Sequence, residues 1–186
     1  MKVTATALPE VLLIEPDVFH DERGFFFESY SYKKYQQYGI NDVFVQDNHS
    51  YSQKAGTLRG LHFQLEPYAQ SKLVCCTRGR ILDVAVDIRR NSPTYCKWVS
   101  VELSSKNFMQ IYVPAGFAHG FITLAEDTEV HYKTSSHYAK DADRGIRWDD
   151  SAFNIDWGTD SPILSDKDKN APFLNESDAN FTWRNP

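Results

Sequence analysis

Cysteine is scarce in this sequence, with only Cys75, Cys76 and Cys96 among 186 residues. An odd number with two adjacent fits neither an even disulfide framework nor a C-x-x-C metal motif. A reducing, cytoplasmic compartment is therefore expected. Long apolar runs are missing as well: no stretch approaches the roughly 20 residues of a membrane span. The first twenty residues, interrupted by Glu10, Glu15 and Asp17, carry neither a secretory nor a transit-peptide pattern. Nor is there an excess of positive charge, since 20 Lys plus Arg face 25 Asp plus Glu for a formal net charge of −5. That balance argues against a broad surface for nucleic acid or an anionic membrane. Glycine and proline are spread as punctuation, with no linker, repeat or low-complexity tract. One domain spanning 1–186 is the expectation.

Aromatic side chains are abundant, at 12 Phe, 10 Tyr and 4 Trp. They favour strands and deep pockets over a helical bundle rich in Ala and Leu. Ile81–Arg89 alternates with period two: Leu82, Val84, Val86 and Ile88 share one face, and Asp83, Ala85, Asp87 and Arg89 share the other. This predicts a strand with one dry and one polar face. Shorter strands are predicted at Leu12–Glu15, Phe25–Tyr30, Val43–Asp47, Lys72–Thr77, Lys97–Leu103, Met109–Val113, Gly120–Leu124 and Glu129–Thr134. Such spacing reads as an all-β sandwich or barrel. Ser31–Tyr38, with a serine at its start and Gly39 after it, is the best helix candidate. Past Trp157 periodicity fades, yet Ile163, Leu164, Phe173, Leu174 and Trp183 need cover. The tail from about 158 to 186 is expected to fold back on the barrel.

Arg59-Gly60-Leu61-His62-Phe63-Gln64 places a guanidinium and an imidazole close together among apolar residues, with Lys72 following on the next candidate strand. An imidazole with a pKa of about 6.5 suits proton transfer at neutral pH. A turn leads into His119 in Pro114-Ala115-Gly116-Phe117-Ala118-His119, a P-x-G-x-x-H form similar to the second motif of the cupin superfamily. Metal-binding cupins carry two closely spaced histidines and a glutamate in their first motif, where this chain offers only His62, so no metal is expected. Arg23, Arg59 and Lys72 suit a diphosphate, and no glycine-rich phosphate loop is present. By composition alone Tyr132 and Tyr138 read as packing residues and Asp168 as part of a solvated charge run.

Five segments occur in order: Asp21-Glu22-Arg23-Gly24-Phe25-Phe26-Phe27-Glu28, Gln46-Asp47-Asn48-His49-Ser50, Arg59–Gln64, Pro114–Phe121 and Asp143-Arg144-Gly145-Ile146. With Tyr132-Lys133-Thr134 and Ser165-Asp166-Lys167-Asp168 they closely resemble the dTDP-4-dehydrorhamnose 3,5-epimerase family, nearly end to end. The resemblance implies a cupin-type jelly roll, a homodimer, and cofactor-free epimerisation of dTDP-4-dehydro-6-deoxy-glucose on the way to dTDP-L-rhamnose. It assigns His62 as base, Asp168 as its partner and Tyr132 as proton donor. It places Arg23, Glu28, Gln46, Asp47, Asn48, Arg59, Lys72, His119, Asp143 and Lys167 at substrate-binding positions and Tyr138 against thymine. Cys75, Ser71 and His137 depart from residues common in the family. Alternative readings are an epimerase inverting one carbon of another dTDP-4-keto-hexose, or a catalytically silent nucleotide-sugar-binding cupin.

Overall fold

The computed structural model describes residues 1–183. Its strands are β1 (Lys2–Ala5), β2 (Leu12–Glu15), β3 (Phe19–Asp21), β4 (Gly24–Phe26), β5 (Gln46–Ser52), β6 (Leu58–Gln64), β7 (Lys72–Arg78), β8 (Arg80–Asp87), β9 (Trp98–Ser104), β10 (Gln110–Val113), β11 (Phe117–Thr123), β12 (Thr128–Thr134) and β13 (Asp143–Gly145). Helix is confined to α1 (Tyr32–Gln36), α2 (Asp166–Lys169) and two single 3-10 turns. A six-stranded sheet, β1-β2-β10-β7-β12-β5, faces a five-stranded one, β13-β6-β11-β8-β9, and β3 and β4 form a separate hairpin. This is the all-β jelly-roll arrangement expected from the sequence.

Three apolar clusters hold the layers together. Between the sheets, Val74, Ile111 and Val130 from one meet Ala85, Leu103 and Phe121 from the other. On the outer side of the five-stranded sheet, Leu58, Leu61, Val84, Val86 and Ile122 are covered by Trp157, Leu164, Leu174, Ala179 and Phe181. On the outer side of the other sheet, α1 lays Tyr35 against Ile14, Leu73 and Tyr112. The Tyr35 hydroxyl there donates to Gln110 Oε1 at 2.6 Å.

Several local expectations change. The strand expected over Phe25–Tyr30 is limited to Gly24–Phe26, because this segment turns back on β3 in a hairpin and then leaves the sheet. The strand expected at Val43–Asp47 lies at Gln46–Ser52, where pairing to β12 wins over apolar content. Ser31 precedes α1 without a side-chain cap, its carbonyl accepting from the Lys34 and Tyr35 amides instead. The polar face of β8 is not a solvent face: Asp83 and Asp87 are both fully buried between the sheets, while the dry face points outward under the C-terminal segment. Asp87 is balanced by Arg89, which also grips Glu10 and lies over the Phe117 ring.

β6 contains an irregularity on which the interior depends. His62 pairs with His119 and Arg59 with Phe121, so three steps along β6 match two along β11. The extra residue is a bulge, and Gly60 sits in it with φ +124. On a regular strand Arg59 and His62 would point to opposite faces; across the bulge both line the interior. A Cβ at Gly60 would lie 2.6 Å from Gly120 Cα and 2.8 Å from the His119 carbonyl oxygen. Gly60→Ala is therefore expected to destabilise the protein by about 1–3 kcal/mol through overpacking and backbone strain. Denaturant unfolding measures this, and a midpoint equal to that of the unsubstituted protein would contradict it.

Candidate active site

Between the sheets, at one end, lies a cavity of about 370 Å³ whose lining includes Arg59, His62, Lys72, His119, Tyr132 and Asp168. A second chamber of about 240 Å³ shares His62, Lys72 and Tyr132 and continues past Gln46, Asn48, Tyr138, Asp143 and Lys167. His62 projects from β6 in one sheet and Tyr132 from β12 in the other, so they border the cavity from opposite walls.

The His62–Asp168 pair joins residues 106 positions apart, with Nε2–H donating to Asp168 Oδ1 at 2.5 Å. That donation leaves the lone pair of the neutral ring on Nδ1. Asp168 is buried, and its second oxygen accepts from Ser165 Oγ at 2.8 Å. Ser165 also caps α2, accepting from the Asp168 amide. Burial alone would raise the Asp168 carboxyl, but the hydrogen bond and charge of His62, with help from Ser165, hold it below the ordinary range. It is thus an ionised partner able to stabilise an imidazolium.

Lys72 is buried, with its ammonium donating to the His62 carbonyl at 3.2 Å. Burial pulls its pKa down to about 8, against the opposing pull of Asp83 and Asp143. At neutral pH it remains mostly cationic in a site largely shielded from water. His119 donates from Nε2 to the Asp83 carboxylate, 2.9 Å from both oxygens. Burial lowers its pKa, outweighing Asp83. Burial also raises the Tyr132 phenol, with Asp143 reinforcing and Arg59 opposing the shift, so the hydroxyl stays protonated at neutral pH.

The outer chamber is held by an ordered polar set. Gln64 accepts from the Ala139 amide and donates to the carbonyls of Tyr68 and His137, which fixes the segment bearing Tyr138. Gln46 accepts from the Tyr138 amide and donates to Asn48. Asp143 accepts from Lys167 at 2.5 Å and from the Tyr138 hydroxyl at 3.2 Å. Arg59 is steadied by Ser52 Oγ and the Tyr51 carbonyl.

Three expected contact residues lie elsewhere in this chain. Asp47 is on the outer face of β5, paired with Lys133 at 2.7 Å, because its neighbours Gln46 and Asn48 take the inward positions. Arg23 is at the exposed tip of the β3–β4 hairpin, paired with Asp21. Glu28 pairs with Lys34. Sequence reasoning missed Ser165, for which Ser-x-x-Asp before a short helix was the available signal. It also missed Asp83, whose alternation marks a polar face of β8 without saying that this face lies between the sheets. Among the described residues, no group of three or more His, Cys, Asp or Glu side chains is placed to hold a metal ion.

A base with a carboxylate partner, a phenol on the opposite wall and a buried cation between them can abstract a proton, carry the resulting negative charge and return a proton from the other side. The comparisons point the same way. The family model described as dTDP-4-dehydrorhamnose 3,5-epimerase matches residues 5–176. The dTDP-4-dehydrorhamnose 3,5-epimerase of Shigella flexneri is 53% identical over 179 residues, covering 96% of this chain and 98% of that protein. The Bacillus anthracis enzyme of that name, solved with TDP and PPi bound, is 49% identical with a TM-score of 0.90, covering 92% of this chain and 98% of that one. The dTDP-6-deoxy-D-glucose-3,5-epimerase of Legionella pneumophila, solved with dTDP-4-keto-L-rhamnose, is 43% identical with a TM-score of 0.95 and covers 99% of both chains. With a site built in this way and similarity running almost end to end, the chain belongs to the dTDP-4-dehydrorhamnose 3,5-epimerase family.

Proposed function

We propose that this protein inverts carbons 3 and 5 of dTDP-4-dehydro-6-deoxy-D-glucose to give dTDP-4-dehydro-L-rhamnose, within one domain, without a cofactor and in the cytoplasm. The observation that carries this reading is the His62–Asp168 pair facing Tyr132 across one cavity. Both reacting carbons flank the carbon-4 ketone, so loss of either proton gives an enolate. His62 Nδ1 takes the proton, and Asp168 holds the ring and stabilises its charged form. Lys72 balances charge developing on the ketone oxygen. Tyr132 delivers a proton from the opposite wall, which inverts the carbon. Gln46, Asn48, Asp143 and Lys167 hold the nucleotide end, with Tyr138 stacked on thymine, and Arg59 and His119 bind nearer the reacting sugar.

Heavy-water NMR of the sugar tests these roles. The unsubstituted enzyme should place deuterium at carbons 3 and 5 with inversion at both; inversion at one alone would identify a single-carbon epimerase. His62→Ala should lose exchange at both positions by about a hundredfold to ten-thousandfold. Tyr132→Phe should keep exchange while inversion falls, and Asp168→Asn should give a milder His62 defect. Exchange at wild-type rates in His62→Ala would overturn the base assignment.

Lys72 gives a pH prediction with a fixed sign. Its cationic form supports the enolate, and it deprotonates as pH rises through about 8. Turnover should therefore fall on the alkaline side of that value. Lys72→Gln should lower kcat by about a hundredfold to a thousandfold, the usual effect of losing an oxyanion donor, and abolish this alkaline limb. A kcat profile of Lys72→Gln that matched the wild type would contradict the assignment.

The same reading includes a homodimer. Phe19, Phe25 and Phe26 on the β3–β4 hairpin are 66%, 58% and 72% exposed, an apolar surface of the sort that covers an interface. β5 is an open sheet edge. A hairpin seated on a second copy would also bring Arg23 and Glu28 toward that copy's nucleotide, which explains why they are remote from the cavity of their own chain. Phe25→Ser with Phe26→Ser should yield monomers by light scattering and weaken dTDP binding. A stable dimer with unchanged affinity would count against it.

A further inference from the structure

We propose that Ser50 is a specificity-determining residue that hydrogen-bonds the hydroxyl on carbon 2 of the sugar, an inference that rests on the epimerase reading above. Ser50 Oγ is buried and, alone among the side-chain polar atoms of the described residues, is left there without a hydrogen-bond partner. Such an atom is costly in a folded protein and calls for an explanation. Ser50 lines the reaction cavity beside Arg59, His62 and Tyr132, and a turn about its Cα–Cβ bond to another staggered position presents the hydroxyl to a bound substrate, which supplies the missing bond.

Its neighbours sharpen the assignment. Asn48, Ser50 and Ser52 alternate onto the inward face of β5. Asn48 already accepts from Gln46, and Ser52 from Arg59. Across the ladder Ser50 faces Val130, which offers no polar side chain, while Tyr132 stands opposite Asn48 one step further along that face. The uncommitted hydroxyl is therefore fixed on a strand immediately beside the proposed proton donor.

The sugar ring carries hydroxyls only on carbons 2 and 3. The carbon-3 hydroxyl changes face when that centre inverts, so a partner fixed in place would favour one epimer. The carbon-2 hydroxyl keeps its configuration throughout and adjoins a reacting carbon. A stationary protein hydroxyl suits this stationary group, holding carbon 3 in register with His62 and Tyr132 through both proton transfers.

The test compares wild type and Ser50→Ala on the parent substrate and on its 2-deoxy analogue, in which both reacting carbons still flank the ketone. NMR measures kcat/KM for epimerisation. Ser50→Ala should lose about tenfold on the parent, the scale of one neutral hydrogen bond, and match wild type within about twofold on the analogue. Its melting temperature should not fall, because no protein hydrogen bond is removed and an unpartnered buried hydroxyl is relieved. Ser50→Thr, which keeps a hydroxyl, should restore discrimination between the two substrates. Equal losses on both substrates, or no loss on the parent, would overturn the assignment of Ser50 while leaving the epimerase reading intact. Failure of the wild type to convert the parent would overturn that reading, and this inference with it.

Discussion

A β-strand offers two faces, and the chemistry proposed for this protein needs residues three apart to share one. The bulge at Gly60 meets that requirement by adding a residue to β6 relative to β11. Arg59 and His62 then face the same cavity, and His62 stays in register with His119 on the neighbouring strand. The arrangement depends on two glycines packed backbone to backbone, Gly60 against Gly120. Around this point the other site elements assemble: α2 brings Asp168 to His62, β7 brings Lys72 beneath it, and β12 supplies Tyr132 from the facing sheet.

The second constraint is charge held away from water. Asp83, Asp87, His119, Lys72 and Asp168 are all buried. Isolated ions would be too costly in such surroundings, and each of these three carboxylates has a cationic or imidazole partner. Asp83 meets His119, Asp87 meets Arg89, and Asp168 meets His62. Lys72 has the weakest compensation, with only a backbone carbonyl in hydrogen-bond contact. Its lowered pKa records that deficit. A cation short of partners is well suited to receive negative charge on a substrate.

What could be read from the sequence followed the local physics. Alternation located β8 and composition indicated an all-β fold, but alternation reports polarity and does not say which side is water. The polar face of β8 was legible, but not that Asp83 and Asp87 lie buried between the sheets. β6 was not predicted as a strand, since Gly60 interrupts its pattern and apolar residues lie to both sides of His62. β5 lies later than the sequence predicts because Gln46–Ser52 contains no aliphatic residue; its inward side chains serve a polar cavity. The resemblance places Asp47 with Gln46 and Asn48, whereas on β5 adjacent residues go to opposite faces and Asp47 lies outside. The role of Asp168 had no local signal, because its partner is 106 residues away; only resemblance to a family indicated it.

The four residues of α2 are too few to form a helix unaided, so Asp168 is held where it is by docking. The hydroxyl of Ser165 both caps this turn and orients the carboxylate, and Lys167 ties the turn to Asp143. Breaking one set of contacts releases cap and carboxylate together. On the proposed assignment of His62 as base, its strength is consequently a population-weighted quantity, proportional to the fraction of molecules in which the turn is seated. The apparent activation enthalpy of turnover then contains the enthalpy of seating a loop as well as that of moving a proton.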